Sequence, residues 1–205
     1  MGETMEKPAE PQGEVITLPR MDIRELELKL IGDTPLISHA WGEKAIAQIE
    51  AAQGHKARTA KGPRKPKEEF EASLYKMPNG DGYGYPAHVF KVAAVNACSH
   101  VDGVTKVLAR GAFHVQGDMV QLSGSKPTMR RDMVRLRDGT ATVRYRGEFK
   151  TWRVLLRIRY NANVLSAEEI VNLFNTAGFA IGIGDNRPQK SGNSFGLFHV
   201  GSAGE

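Results

Sequence analysis

Between Trp152 and Tyr160 the chain reads WRVLLRIRY. Trp152, Val154, Leu156, Ile158 and Tyr160 take every second position, and Arg153, Leu155, Arg157 and Arg159 fill the others. Side chains on a strand point alternately to the two faces of a sheet, so this period demands a strand with one face in a core and the other, mostly guanidinium, in water. IRELELKLI repeats the pattern near the start: Leu26, Leu28 and Leu30 alternate with Glu25, Glu27 and Lys29.

Helical periods lie between these strands. Ala45, Ile46 and Ile49 share one side of a pattern that runs to about Ala52. Pro86 is suited to open a second helix, since its missing amide proton is not needed in a first turn. Val89, Phe90, Ala93, Ala94 and Ala97 form the apolar stripe of that helix. Ser166 and Glu169 make a capping box for a third helix, which runs through Ile170, Val171 and Phe174 and which Gly178 is placed to end. Short strands are expected around 112–115 and 118–122, and strand resumes from Thr142. FAIGI and FGLFHV read as short strands around a glycine loop, and GSKPTMRRDMVRLRDG reads as a polar connection. Stripped of insertions, the order is the β-α-β-β-α-β plan of a ferredoxin-like, or RRM-like, α+β domain.

A chain of 205 residues, 40% of them hydrophobic, can bury a core as one domain. That domain is expected over 21–200, with a disordered lead-in at 1–20 and a short tail at 201–205. Residues 53–67, QGHKARTAKGPRKPK, carry Lys56, Arg58, Lys61, Arg64, Lys65 and Lys67 with no acid and no large apolar group. Such a stretch cannot bury enough surface to order itself and is expected to be a flexible basic loop. It is either a linker kept soluble by its charges or an arm that closes over a bound strand.

The lone cysteine, Cys98, excludes an internal disulfide and a multi-cysteine zinc site and fits a reducing compartment, so a cytoplasmic location is expected. Its alanine-rich surroundings make it a small buried apolar group. No apolar run approaches the ~18 residues of a membrane span, and the acidic, proline-bearing start does not read as a signal peptide. No membrane partner is expected.

The formal charge is +5, with 28 basic against 23 acidic residues, so distribution matters more than the sum. From Lys126 to Arg159 there are eleven basic residues against the acids Asp132, Asp138 and Glu148. Arginine dominates, and its planar fork suits phosphate oxygens and stacks on bases. Arg153, Arg157 and Arg159 emerge from one strand face, Arg144 and Arg146 share a face of the preceding strand, and Arg130 and Arg131 lie nearby. These residues form either a cationic platform for nucleic acid or a solvated sheet face with ion pairs.

The segment GFAIGIGDNRPQKSGNSFGLFHV, 178–200, places Arg187 and Lys190 among glycines. Gly182 and Gly184 present bare backbone that lets a main chain or a phosphate approach closely, and exposed turn amides form anion-binding nests. No GK[ST] follows, so this is not a Walker loop, and a plain glycine-rich hairpin is the other reading.

The pattern of Gly182, Gly184, Gly192, Phe195 and Gly196 ahead of an apolar strand resembles the glycine-rich loop of the RAMP superfamily, which includes the Cas5, Cas6 and Cas7 proteins of CRISPR systems. The resemblance implies an RRM-like fold that binds single-stranded RNA, with the loop contacting the backbone, and in Cas7-like members a head-to-tail assembly or RAMP-type complex along one strand. FEASLY, LARGAFHV, YRGEF and IRYNANV look like an uncharacterised family from tailed-phage and prophage genomes, a likeness that implies a source and not an activity.

Six histidines, at 39, 55, 88, 100, 114 and 199, show no metal-ligand spacing, so no metal and no cofactor is expected. His39 is the position for the general base of a metal-free ribonuclease of the Cas6 kind; the alternative is a histidine that caps or packs locally. Asp33 and Asp185 flank glycines at chain reversals and read as turn residues. Tyr83 and Tyr85 are open to base stacking or to core packing. The leading expectation is a non-catalytic protein binding single-stranded RNA or DNA, RNA preferred. The others are a metal-independent endoribonuclease on the same fold, and a phage assembly or counter-defence protein meeting an acidic protein.

Overall fold

The computed structural model describes residues 20–40, 43–54, 64–135 and 138–202. Lys56, Arg58 and Lys61, and all but the last residue of the expected lead-in, lie outside the described residues.

In chain order the elements are strands β1 (Ile23–Gly32) and β2 (Leu36–Ser38), helices α1 (Glu43–Gln53) and α2 (Pro66–Ala72), strand β3 (Gly84–Pro86) and helix α3 (Ala87–Ala97). A short 3-10 turn then leads to helix α4 (Lys106–Ala112) and strands β4 (Phe113–Val115), β5 (Met119–Gln121) and β6 (Ser123–Gly124). Strands β7 (Thr128–Arg135), β8 (Ala141–Phe149) and β9 (Trp152–Asn161) precede helix α5 (Ala167–Thr176), which runs into a π-helical turn (Ala177–Ile181). Helix α6 (Pro188–Ser191) and strand β10 (Phe198–Val200) close the chain.

The main sheet has the strand order β10-β1-β9-β4, every pair antiparallel, and β6 pairs with the first residues of β9. Alternation in β1 and β9 decides what this sheet buries. Leu28, Leu30, Trp152, Val154, Leu156, Ile158 and Tyr160 are all buried on one face, and each large apolar side chain so removed from water stabilises the fold by about 1.5–3 kcal/mol. Helices α3 and α5 contribute Phe90, Ala93, Ala94, Ile170, Leu173 and Phe174 to the same core. Phe90 meets Phe198 edge-on at 6.5 Å, and Phe113 meets Phe174 at 6.0 Å. The capping box forms as its residues require: Ser166 accepts from the Glu169 amide and Glu169 accepts from the Ser166 amide. The architecture is a mixed α/β one with antiparallel sheets.

A second sheet, β2-β8-β7, stands beside the first, and α2 packs on it. Its existence overturns the polar connection expected over GSKPTMRRDMVRLRDG, because Thr128–Arg135 is a strand paired along β8. The usual signal is missing there: Arg130, Asp132 and Val134 on one side are half-buried, while Met129, Arg131, Met133 and Arg135 on the other are exposed. No apolar alternation is needed when the covered face is ionic.

Four smaller expectations change. FAIGI is not a strand but continues α5 as a π-helical turn, because Gly178 lies against the Phe198 carbonyl where any Cβ would collide. The helix is therefore ended by Gly182, at φ +66°, and not by Gly178. Pro86 is the residue ahead of the first turn of α3 rather than inside it. On α1 the expected stripe is not covered, with Ile46 and Ile49 exposed. Tyr85 is buried and so not offered to a base, while Tyr83 is half-buried and packs edge-on to Phe149 at 5.7 Å.

Candidate functional site

The site grows from the register of the second sheet. Ser38 lies opposite Gly147, so the next residues, His39 and Arg146, are neighbours. The glycine segment reaches the same place because the Asp185 amide donates to the Ile37 carbonyl at 2.9 Å. That contact needs glycine beside it: Gly184 sits at φ +79°, and an added Cβ would be 2.6 Å from the Ile37 carbonyl oxygen. Gly196, at φ +68°, is pressed as closely against the backbone of Ile183.

These approaches are met by the protein's own main chain. The amides of Ile183, Asp185 and Gly196 are bonded to the carbonyls of Gly196, Ile37 and Pro35. They form no open nest for an anion, because their protons are already spent. Gly182 is buried under Pro188, and Gly192 holds the left-handed position after α6 with open space around it.

Asp185, read as a turn residue from sequence, is the hub of a buried ionic cluster. Arg146 Nη2 lies 2.7 Å from its Oδ2, with the two side chains 6% and 5% exposed. Lys190 Nζ also donates to Asp185. Arg146 Nη1 donates to Asp132 at 3.1 Å, Arg130 Nε donates to Asp132 at 2.8 Å, and Arg130 Nη1 donates to Glu148 at 2.7 Å. Arg130 and Arg146 are directly opposite in the β7–β8 register, where like charges repel, and Asp132 bridges them. The Arg130 guanidinium also lies over the Phe195 ring at 4.6 Å, tying the glycine segment to the second sheet.

His39 Nδ1 stands between two claims. Arg146 Nε donates to it at 3.2 Å, and Asp185 Oδ2 is 3.3 Å away. When Nδ1 accepts from the guanidinium, the ring proton is on Nε2. When Nδ1 carries a proton, in the other neutral tautomer or in the imidazolium, it donates to Asp185. That hydrogen bond, with donation from Lys190 and the Arg146 charge, outweighs burial and holds the Asp185 carboxyl well below the usual carboxylate range.

Above this cluster is a cleft of about 210 Å³ lined by His39, Val134, Arg144, Arg146, Asp185 and Lys190, and bordered at the end of β7 by Arg135, whose strand position is on the exposed side. Arg130, Arg146 and Lys190 balance Asp132, Glu148 and Asp185 through the ion pairs just described. Arg135 and Arg144 have no carboxylate partner among the described residues, so the cleft keeps an excess of two positive charges.

The arginines expected to share one platform divide between two sheets. Arg144 and Arg146 belong to the second sheet, and Arg146 is buried in ion pairs. Arg153, Arg157 and Arg159 are exposed on the main sheet. There Arg157 Nε meets Glu27 at 3.1 Å and Arg159 Nε lies 3.8 Å from Glu25, the partners that the β1–β9 register sets opposite them. Arg131 is on the exposed side of β7, and Arg187 donates to the Gly184 carbonyl at 2.9 Å. Of the basic-loop residues that are described, Arg64 and Lys65 pair with Glu69 and Glu68, and Lys67 is exposed on α2.

No family model matches this chain, and no curated protein matches it in sequence. Among solved structures it is similar to the crystal structure of Cmr6 from Pyrococcus furiosus, at 8% sequence identity and a TM-score of 0.46, over 89% of this chain and 100% of that one. A similarity at that level identifies neither a family nor an activity.

Among the described residues, no group of three His, Cys, Asp or Glu side chains is placed to hold a metal ion. No described helix is long and apolar enough to cross a membrane. Sequence reasoning missed Asp132, Glu148 and the role of Asp185. The signal that could have found Asp132 and Glu148 is charge arithmetic, since acids inside so basic a segment are natural partners of its arginines; Asp185 lies outside that segment and is brought in by the fold.

Proposed function

We propose that the protein binds single-stranded nucleic acid, RNA in preference to DNA, at the cleft between the second sheet and the glycine segment. The observation that carries this reading is the pair of guanidiniums, Arg135 and Arg144, left without carboxylate partners among the described residues beside Lys190 and His39. A cleft with surplus positive charge over a fixed ionic floor suits phosphate, because its donors are held in position before the ligand arrives. The rest of the glycine segment acts as scaffold: its bare backbone lets β2 approach, and that approach carries Asp185 and Lys190 to the cleft.

The RAMP-type reading of the glycine segment draws support from the sheet order β10-β1-β9-β4, with α3 between β1 and β4 and α5 between β9 and β10 in the chain, which fits the β-α-β-β-α-β plan that reading implies. In that reading copies of the chain line up head to tail along one strand. The open face of the main sheet contributes little, since Arg157 and Arg159 are each offset by a glutamate.

One observation favours a second reading. His39 is in contact with a buried carboxylate and borders a cationic cleft, the arrangement a metal-independent ribonuclease uses for a general base and its orienting group. Labelled single-stranded RNA and DNA distinguish the two. Binding at low salt that weakens steeply as salt rises, with strands left intact, supports the binding protein. Cleavage without metal that vanishes in His39→Ala supports the ribonuclease, and no binding at low salt overturns both.

A further inference from the structure

We propose that the cleft seats a phosphomonoester, the terminal phosphate of a strand, in preference to an internal phosphodiester; this rests on the nucleic-acid reading above. The charge count is the first reason. Among the described residues, six of the ionised groups under and around the cleft cancel, three against three, leaving the charges of Arg135 and Arg144. An internal phosphodiester carries one negative charge, whereas a phosphomonoester with its second pKa near ~6 carries close to two at neutral pH.

Donor geometry is the second reason. A monoester presents three terminal oxygens and a diester two, so the former uses more donors. Arg135 and Arg144 each offer a planar fork. His39 adds one more whenever Nε2, the ring nitrogen not engaged by the floor, carries a proton: in the neutral tautomer whose Nδ1 accepts from Arg146 Nε, and in the imidazolium whose Nδ1 donates to Asp185. Lys190 supplies a mobile ammonium, since Asp185 remains paired to Arg146 if Lys190 turns from it to a ligand.

Scale is the third. At about 210 Å³ the cleft has room for a phosphate and the atoms attached to it. Arg157 and Arg159 of the main sheet, which would continue a track, are turned to Glu27 and Glu25 instead.

The test compares one short single-stranded RNA sequence in three forms: 5′-phosphorylated, 3′-phosphorylated, and with hydroxyls at both ends. Each is titrated onto the full chain and competed with inorganic phosphate. The expected result is binding about tenfold tighter for one phosphorylated end, the gain from one added charge-assisted contact. The preference should be lost in an Arg135→Ala/Arg144→Ala variant and reduced more by His39→Asn than by His39→Gln, whose amide can reproduce the Nε2 donor. Equal affinity for all three forms would overturn the inference and leave the nucleic-acid reading standing. Displacement of all three alike by inorganic phosphate, with no end preference, would also overturn it, and absence of binding by any form removes both.

Discussion

Arg146 Nη2 and Asp185 Oδ2 are 2.7 Å apart, one on β8 and the other in the glycine segment, with both side chains almost fully out of water. A pair of this kind is poor evidence of net stability but costly to break, because the surviving charge is left buried. Asp185→Asn should therefore destabilise the fold by about 3 kcal/mol or more, measured by urea unfolding at neutral pH.

The same pair sets an acid limit. The folded-state pKa of Asp185 is depressed, so its contribution is fully present above the unfolded value near ~3.9 and is lost as pH falls through the folded value. The stability difference between wild type and Asp185→Asn should be flat from neutral pH down to about pH 4 and shrink below that. A difference that stays constant into strong acid would show that the carboxylate is not held by its neighbours.

Two glycines of the same segment should respond differently to alanine. Gly184→Ala meets both a left-handed backbone and the Ile37 carbonyl oxygen, whereas Gly192→Ala meets only the backbone conformation, with open space around it. The second should cost about 1–2 kcal/mol and the first clearly more, read from thermal or urea unfolding.

On the main sheet, Arg157→Ala and Arg159→Ala should change stability by less than about 1 kcal/mol, as exposed ion pairs do. Neither should weaken oligonucleotide binding appreciably, since each removes a charge already offset by Glu27 or Glu25. A large loss of affinity in either variant would move the binding surface to the open sheet face.

What could be read from the residues follows from what each element buries. β1, β9, α3 and α5 bury apolar side chains at fixed spacing, so their periods were visible. β7 covers ions rather than hydrocarbon, so Thr128–Arg135 looked like a loop although its partner β8 is the next strand in the chain. The cluster was hidden for another reason: Asp185 and Arg146 are separated by 39 positions, and only the β2–β8 register with the Asp185–Ile37 backbone bond brings them together. Arginine content was legible, but which arginines were already paired was not, because pairing depends on that long-range register. His39 was picked out by its place after the first strand. Its contact with Asp185 and Arg146 required the fold.

The central claim is that Arg135 and Arg144 form the exposed charge of a phosphate-binding cleft. It is tested most directly by the salt dependence of single-stranded oligonucleotide binding in wild type and in Arg135→Ala/Arg144→Ala. The account predicts weaker binding at low salt and a log–log salt slope shallower by about 1.4, two contacts at ~0.7 each, with unfolding unchanged. An unchanged affinity and slope in a folded double variant would contradict it.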